Sequence, residues 1–219
     1  MVTCSHGARA VQRTETDGTV ATLVDRYNGA RLNSPNDLVV KSDGTIWFTD
    51  PPYGIFQPEE GYFAESELPG NFVYRFDPQT GELSIVVDDM DKPNGLAFSP
   101  DETILYVADS GLSHNPNGNH HIRAYDMVNG KSVNNGRVFA VIDPGVPDGF
   151  RLDIHGYLFT SSADSIQVYD PNGQLLGKII VPEVSANCTF GGPQKNRLFI
   201  AATSSIYAIT LNTRGIQSP

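Results

Sequence analysis

Apolar residues along this chain alternate with polar ones or gather in short β-branched and aromatic runs, and the spacing of an amphipathic helix is nearly absent. Turn signals separate the runs: Asp17-Gly18, Asp43-Gly44, Thr80-Gly81, Asn129-Gly130, His155-Gly156 and Asn172-Gly173. Alternation broken by such pairs predicts antiparallel hairpins, and the chain reads as all-β.

The runs recur in a fixed order. One polar phrase opens each group: Ser34-Pro35-Asn36-Asp37-Leu38, Lys92-Pro93-Asn94-Gly95-Leu96, Val146-Pro147-Asp148-Gly149-Phe150 and Ala186-Asn187-Cys188-Thr189-Phe190. Positions 36, 94, 148 and 187 lie 58, 54 and 39 residues apart, on the scale of one propeller blade at about 40 to 50 residues. Four blades follow. The first uses residues 38–40, 46–48, 72–76 and 83–87, and the second 96–98, 105–107, 122–125 and 137–141. The third uses 150–152, 158–159, 166–169 and 175–180, and the fourth 188–190, 198–200 and 206–209. Upstream, residues 2–4, 10–14 and 19–24 read as the second, third and fourth strands of a partial blade without its innermost strand. The expectation is a β-propeller with four recognisable blades and one partial blade, a single domain over residues 1–219 that is incomplete on its N-terminal side. A long excursion from Asp50 to Gly70, carrying Glu59, Glu60, Glu65 and Glu67, reads equally as a lid over the channel mouth or as a packing loop.

Composition narrows the function classes. Fifteen Lys and Arg against twenty-five Asp and Glu give a net charge of −10, and no basic stripe interleaves with aromatic residues, which argues against nucleic acid. No apolar run approaches the ~18 residues of a membrane span and no leader pattern opens the chain, which favours the cytoplasm. Oligomeric state is not readable. The two cysteines, Cys4 and Cys188, form neither a CxxC clip nor a disulfide framework and read as small buried strand residues.

Inner strands of a propeller encircle its channel, so residues at one phase of successive blades project into it at one height. Asn36, Asn94 and Asp148 share that phase and would present two carboxamides and a carboxylate, an oxygen environment suited to Ca²⁺, Mg²⁺ or Mn²⁺. A competing reading is local, because Asn or Asp ahead of a strand often bonds its own turn amides. Three copies in phase, each behind a proline, favour the channel. Asp50 and Asp109 end second strands and read mainly as turn acceptors; His6, His114, His120 and His121 read mainly as structural or solvated residues. No Gly-x-Ser-x-Gly elbow, dinucleotide fingerprint or phosphate loop occurs.

These phrases, with Trp47-Phe48-Thr49-Asp50-Pro51, Asn187-Cys188-Thr189-Phe190-Gly191-Gly192-Pro193 and Leu211-Asn212-Thr213-Arg214-Gly215, resemble the gluconolactonase, senescence-marker-protein and regucalcin family of six-bladed propellers over essentially the whole chain. The resemblance implies a divalent cation, Ca²⁺ ahead of Mg²⁺, Mn²⁺ or Zn²⁺, with Asn94 and Asp148 as metal ligands and Asn36 meeting the substrate. The family's metal-binding Glu would lie upstream of Met1, and an arginine that some members carry two residues before the substrate Asn is Ser34 here. The implied activity is hydrolysis of a small sugar lactone: the metal polarises the carbonyl, water attacks it, and Asp148 acts as general base. Two other readings use the same residues, a non-catalytic fragment or binding scaffold and an organophosphate-type ester hydrolase.

Overall fold

The computed structural model describes residues 1–216. Its residues group into two compact units, residues 1–94 and those from Gly95 onward. In the first unit, β1 (Val2–Ser5), β2 (Ala10–Thr14) and β3 (Val20–Val24) form a three-stranded sheet in chain order, and β4 (Arg26–Tyr27) pairs with β5 (Ala30–Arg31). A four-stranded sheet follows from β6 (Leu38–Val40), β7 (Ile46–Asp50), β8 (Phe72–Asp77) and β9 (Glu82–Val87), with a one-turn helix, α1 (Tyr53–Phe56), after β7.

The second unit repeats the plan. Sheets form from β10 (Pro93–Phe98), β11 (Ile104–Asp109), β12 (His121–Val128) and β13 (Ser132–Val141), then from β14 (Phe150–Leu152), β15 (Leu158–Ser161), β16 (Ser165–Tyr169) and β17 (Leu175–Ile180). The last described sheet is β18 (Ser185–Gly191), β19 (Arg197–Ala202) and β20 (Ile206–Thr210). Neighbouring strands in each sheet are consecutive in the chain, and pairs such as β1–β2, β6–β7, β11–β12, β14–β15 and β18–β19 are antiparallel, as hairpin connections require.

Apart from the β4–β5 pair, each sheet is thus a blade-type meander, and the described residues form five of them, correcting the expected count of four blades and a partial one. The N-terminal meander is as complete as the C-terminal one, since each has three strands. An absent inner strand does not prevent β1, β2 and β3 from pairing, because antiparallel neighbours satisfy each other's backbone groups: Val2 faces Arg13 and Val11 faces Val24.

Burial grades across the sheets. All five residues of β7 are buried, whereas five of the six residues in the outer strand β17 are exposed. In the first unit Leu32, Phe48 and Tyr74 pack with Val11, Ile46 and Phe72, and the Phe48 and Tyr74 rings stack with centroids 5.2 Å apart. In the second, Phe150, Leu152 and Leu158 pack with Ile122 and Ile142, while Phe159 meets Phe190 edge-on within a cluster that includes Cys188. Each such side chain contributes roughly 1.5–3 kcal/mol by leaving water. Turn chemistry joins the strands: the Asp43 carboxylate accepts the Thr45 N–H at 3.0 Å, and Asp101 does the same for Thr103 at 3.1 Å.

Candidate functional site

Asn36 lies just ahead of β6, where its N–H donates to the Thr49 carbonyl at 2.9 Å and the Asp37 N–H donates to Thr49 Oγ1 at 3.1 Å. The strand entry is therefore fixed by β7. With the backbone pinned, the Asn36 side chain does not turn back on its own loop; its Nδ2 donates to Asn94 Oδ1 at 2.9 Å. Two of the three residues expected at the site consequently meet within the first unit. Asn94 is buried and falls inside β10, which begins at Pro93, three residues before the expected 96–98 strand. Local bonding does occur one step along in the first copy, where Asp37 Oδ1 accepts the Leu38 N–H, and at the phase itself in the fourth, where Asn187 Oδ1 accepts the Cys188 N–H, both at 2.8 Å.

Asp148 belongs to the second unit, half-buried ahead of β14. Its N–H donates to Ser161 Oγ at 2.9 Å and its carbonyl accepts the Gly95 N–H at 3.0 Å. The next residue repeats the contact, Gly149 N–H donating to the Ala186 carbonyl at 2.7 Å. These approaches explain the glycine after Asn94 and after Asp148. A Cβ on Gly95 would stand 2.3 Å from the Asp148 carbonyl oxygen, and one on Gly149 would stand 2.0 Å from the Asn187 side chain. Ordinary carbon contacts need more than 3 Å, so a side chain at position 95 forces backbone apart and one at 149 displaces the Asn187 side chain.

A buried polar assembly precedes Asn36. Asp50, at the end of β7, accepts the Asn33 N–H on Oδ2 at 2.8 Å. Arg9 Nε donates to the carbonyls of Leu32 at 2.7 Å and Asn33 at 3.1 Å. The Asn33 amide donates to the Gly70 carbonyl at 3.1 Å, and Ser66 Oγ donates to Asn33 Oδ1 at 2.6 Å. Ser34 Oγ donates to the Pro51 carbonyl at 2.6 Å and accepts the Gly54 N–H at 2.9 Å. Both ends of the long 51–71 loop are thereby tied to the residues leading into Asn36. Sequence reasoning passed over Arg9 and Asn33 and treated Asp50 as a turn acceptor; the one available signal was an Asn immediately before Ser34-Pro35.

Burial pushes the Asp50 carboxyl up to about 7, against the pull of the Asn33 and Ser34 amides and of Arg9. The Cys4 thiol is likewise pushed up, by burial first and then by Asp37 and Asp50. Along the loop, Glu60 lies 3.4 Å from His6 Nδ1 and Glu67 accepts the Arg31 N–H at 2.8 Å, while Tyr62 and Phe63 are exposed. His114 Nδ1 is 2.7 Å from Ser113 Oγ, and His120 Nδ1 is 2.7 Å from the Ile142 carbonyl. Among the described residues no group of three or more His, Cys, Asp or Glu is placed to hold a metal, and no helix is long and apolar enough to cross a membrane.

Comparison with known proteins gives one answer. The model of a family described as SMP-30/Gluconolactonase/LRE-like region matches residues 1–204. A gluconolactonase of Zymomonas mobilis is 36% identical over 203 residues, covering 88% of this chain and 54% of the relative. A lactonohydrolase of Aspergillus oryzae is 27% identical over 215 residues, covering 90% of this chain and 49% of the relative. The chain spans about half the length of these curated relatives. Among solved structures, a Xanthomonas campestris gluconolactonase superposes with a TM-score of 0.89 at 45% identity, over 96% of this chain and 68% of the other. With that match the five meanders are the blades of a β-propeller fold.

Proposed function

The chain belongs to the SMP-30/gluconolactonase/LRE-like family, and from that premise we propose that it takes part in hydrolysis of a sugar lactone of the gluconolactone type. The observation that carries this reading is its 36% identity with the Zymomonas gluconolactonase along 88% of its length. The paired carboxamides of Asn36 and Asn94 are consistent with it.

Asn36, anchored through its backbone to Thr49, has an amide oxygen to accept a sugar hydroxyl while its Nδ2 stays on Asn94. That bond also orients Asn94 Oδ1. Asp148 is the general base. Its carboxylate takes a proton from water as the water oxygen attacks the lactone carbonyl carbon; the ring C–O bond then breaks, and the proton passes to the departing ring oxygen to give the open hydroxy acid. The donor types of Asn94 and Asp148 fit a hard divalent cation, Ca²⁺ in first place, although these two donors alone are fewer than such an ion takes. When bound, such an ion would polarise the carbonyl as a Lewis acid.

The test is glucono-1,5-lactone hydrolysis by the purified chain, followed by proton release before and after exhaustive chelation and again after adding back Ca²⁺. Turnover above the spontaneous rate that falls on chelation and returns with the ion is the expected result. A rate equal to spontaneous opening, with the ion present and the chain folded, would overturn the reading, and full activity after chelation would remove the cation from it.

A further inference from the structure

Asp50 is a fully buried carboxyl that the proposed chemistry does not touch. Burying an ionisable group is expensive unless it is paired, yet Oδ1 has no hydrogen-bond partner and only Oδ2 is engaged, by the Asn33 N–H. Three other groups close on the same stretch. Arg9 grips the carbonyls of Leu32 and Asn33 from the β1–β2 turn, itself held at a φ of 54°, in the left-handed region where a non-glycine residue is strained. Ser66 and Gly70 hold the Asn33 side chain from the far end of the long loop, and Ser34 holds Pro51 and Gly54 at its near end. The Asn33 N–H is thus taken by Asp50 and the Leu32 and Asn33 carbonyls by Arg9, three residues ahead of Asn36.

We propose that Asp50 is a positioning residue for Asn36: acting through Asn33 and opposed by Arg9, its carboxyl fixes the 32–34 segment and so sets both the Asn36 side chain and the two ends of the 51–71 loop. This rests on the reading of Asn36 as the substrate-orienting residue. The physical case is one of lever and fulcrum. Pro35 allows little rotation, so a shift of the Asn33 amide carries directly to Asn36, whose Nδ2 must stay within 2.9 Å of Asn94 Oδ1. The groups facing Asp50 are few. Arg9 approaches from the β1–β2 turn, Cys4 from β1 and Tyr74 from β8; Arg26, Arg31 and Glu67 act on Arg9, and Asp37 acts on Cys4. Arg9 is the one cation among the groups facing the carboxyl itself, and its Nε bonds are spent on backbone carbonyls. The charge on Asp50 therefore changes near neutral pH, within a segment whose geometry depends on it.

Hydrogen–deuterium exchange tests this apart from catalysis. Asp50→Ala should raise exchange at residues 32–37 and 53–56 about tenfold relative to residues 46–49, because a local opening free energy is lost there first. Asp50→Asn should restore protection, since an amide oxygen accepts the Asn33 N–H equally well. With gluconolactone as substrate, Asp50→Ala should raise KM about tenfold with a smaller change in kcat, the pattern of misplaced binding groups. Unchanged exchange in a folded Asp50→Ala chain, or an Asn variant as open as the Ala variant, would overturn the proposal. If Asp50→Ala does not fold, the wild-type chain compared with Asp50→Asn between about pH 6 and 8 takes its place: intrinsically corrected exchange at 32–37 should shift about threefold across the titration in the wild type alone. A flat profile in both would overturn it. Loosened exchange in a chain with no lactonase activity would support positioning while refuting the lactonase reading, so the two failures are distinguishable.

Discussion

The Ser34-Pro35-Asn36 arm and the Val146-Pro147-Asp148 arm enter their strands through the same proline step, and each is held by different forces. In the first unit the arm hangs on buried polar side chains: Arg9 and Asp50 on the backbone, Ser34 and Ser66 on the loop that follows β7. In the second, backbone meets backbone, Gly95 to the Asp148 carbonyl and Gly149 to the Ala186 carbonyl. The aspartates closing the second strands make the contrast sharper. Asp109, at the end of β11, is as buried as Asp50, yet its two oxygens accept the Gly111 N–H at 3.2 Å and the Asn119 amide at 2.9 Å. Asp50 reaches across to another segment and leaves an oxygen bare. One arm is tunable by charge and the other is locked by clearance.

The largest effect expected from breaking this contrast is catalytic. Asp148→Asn keeps side-chain volume and the backbone bonds of the second arm but removes the proposed base, so kcat on gluconolactone should fall at least about 100-fold with the melting temperature nearly unchanged. Near-normal turnover in that variant would reassign the base.

Next comes the pH response of the first arm. Asp50 has its folded pKa raised to about 7 from 3.8, so the native state binds its proton more tightly than the unfolded chain. Its stabilising contribution is complete below about pH 4 and is lost as pH rises through about 7, with a ceiling of ~4 kcal/mol at about 1.4 kcal/mol per pKa unit. Wild type should therefore lose stability between pH 5 and 8 relative to Asp50→Asn, as read by urea unfolding at about pH 5 and 8. Asp43 and Asp101, held below the ordinary carboxylate range by turn hydrogen bonds, act in the opposite sense, adding stability that fades only as pH falls below about 4. Asp109→Ala should cost about 2 kcal/mol, because it leaves two donors unpaired. A parallel pH response of wild type and Asp50→Asn would erase the distinction between the two aspartates.

Gly95→Ala probes clearance directly and should destabilise by about 2–3 kcal/mol, since the clash is with backbone rather than a flexible tip. Equilibrium unfolding measures it. The smallest effect belongs to Asn36→Ala, expected to raise KM about tenfold with kcat little altered, as for loss of one substrate hydrogen bond.

The strands were readable because their signals are local. Ile46-Trp47-Phe48 and Leu105-Tyr106-Val107 sit between Asp-turns whose carboxylates cap them, and both form where expected. The blade count went astray at the N-terminus, where a missing first strand was taken to mean an incomplete sheet, although β1–β3 pair as fully as β18–β20. The meeting of Asn36 with Asn94 follows from repeated phrases, a signal carried by periodicity. The assembly of Arg9, Asn33 and Asp50 has no such period: three segments far apart in the chain converge through backbone carbonyls and amides, groups that every residue carries. Only packing decides which of them are used.

The close approaches at Gly95 and Gly149 also bear on how freely this region can vary. In residues 93–95 and 147–149, proline sets direction, the Asn or Asp is the residue proposed to do chemistry, and at the third position a methyl group would stand within 2.3 Å of a neighbouring residue. A randomised library over those triplets should return a sharply alternating map of tolerance, with many survivors at the second position that fold without acting on substrate and almost none at the third. The side chain at the second position can be exchanged one residue at a time, provided the glycine beside it is left alone.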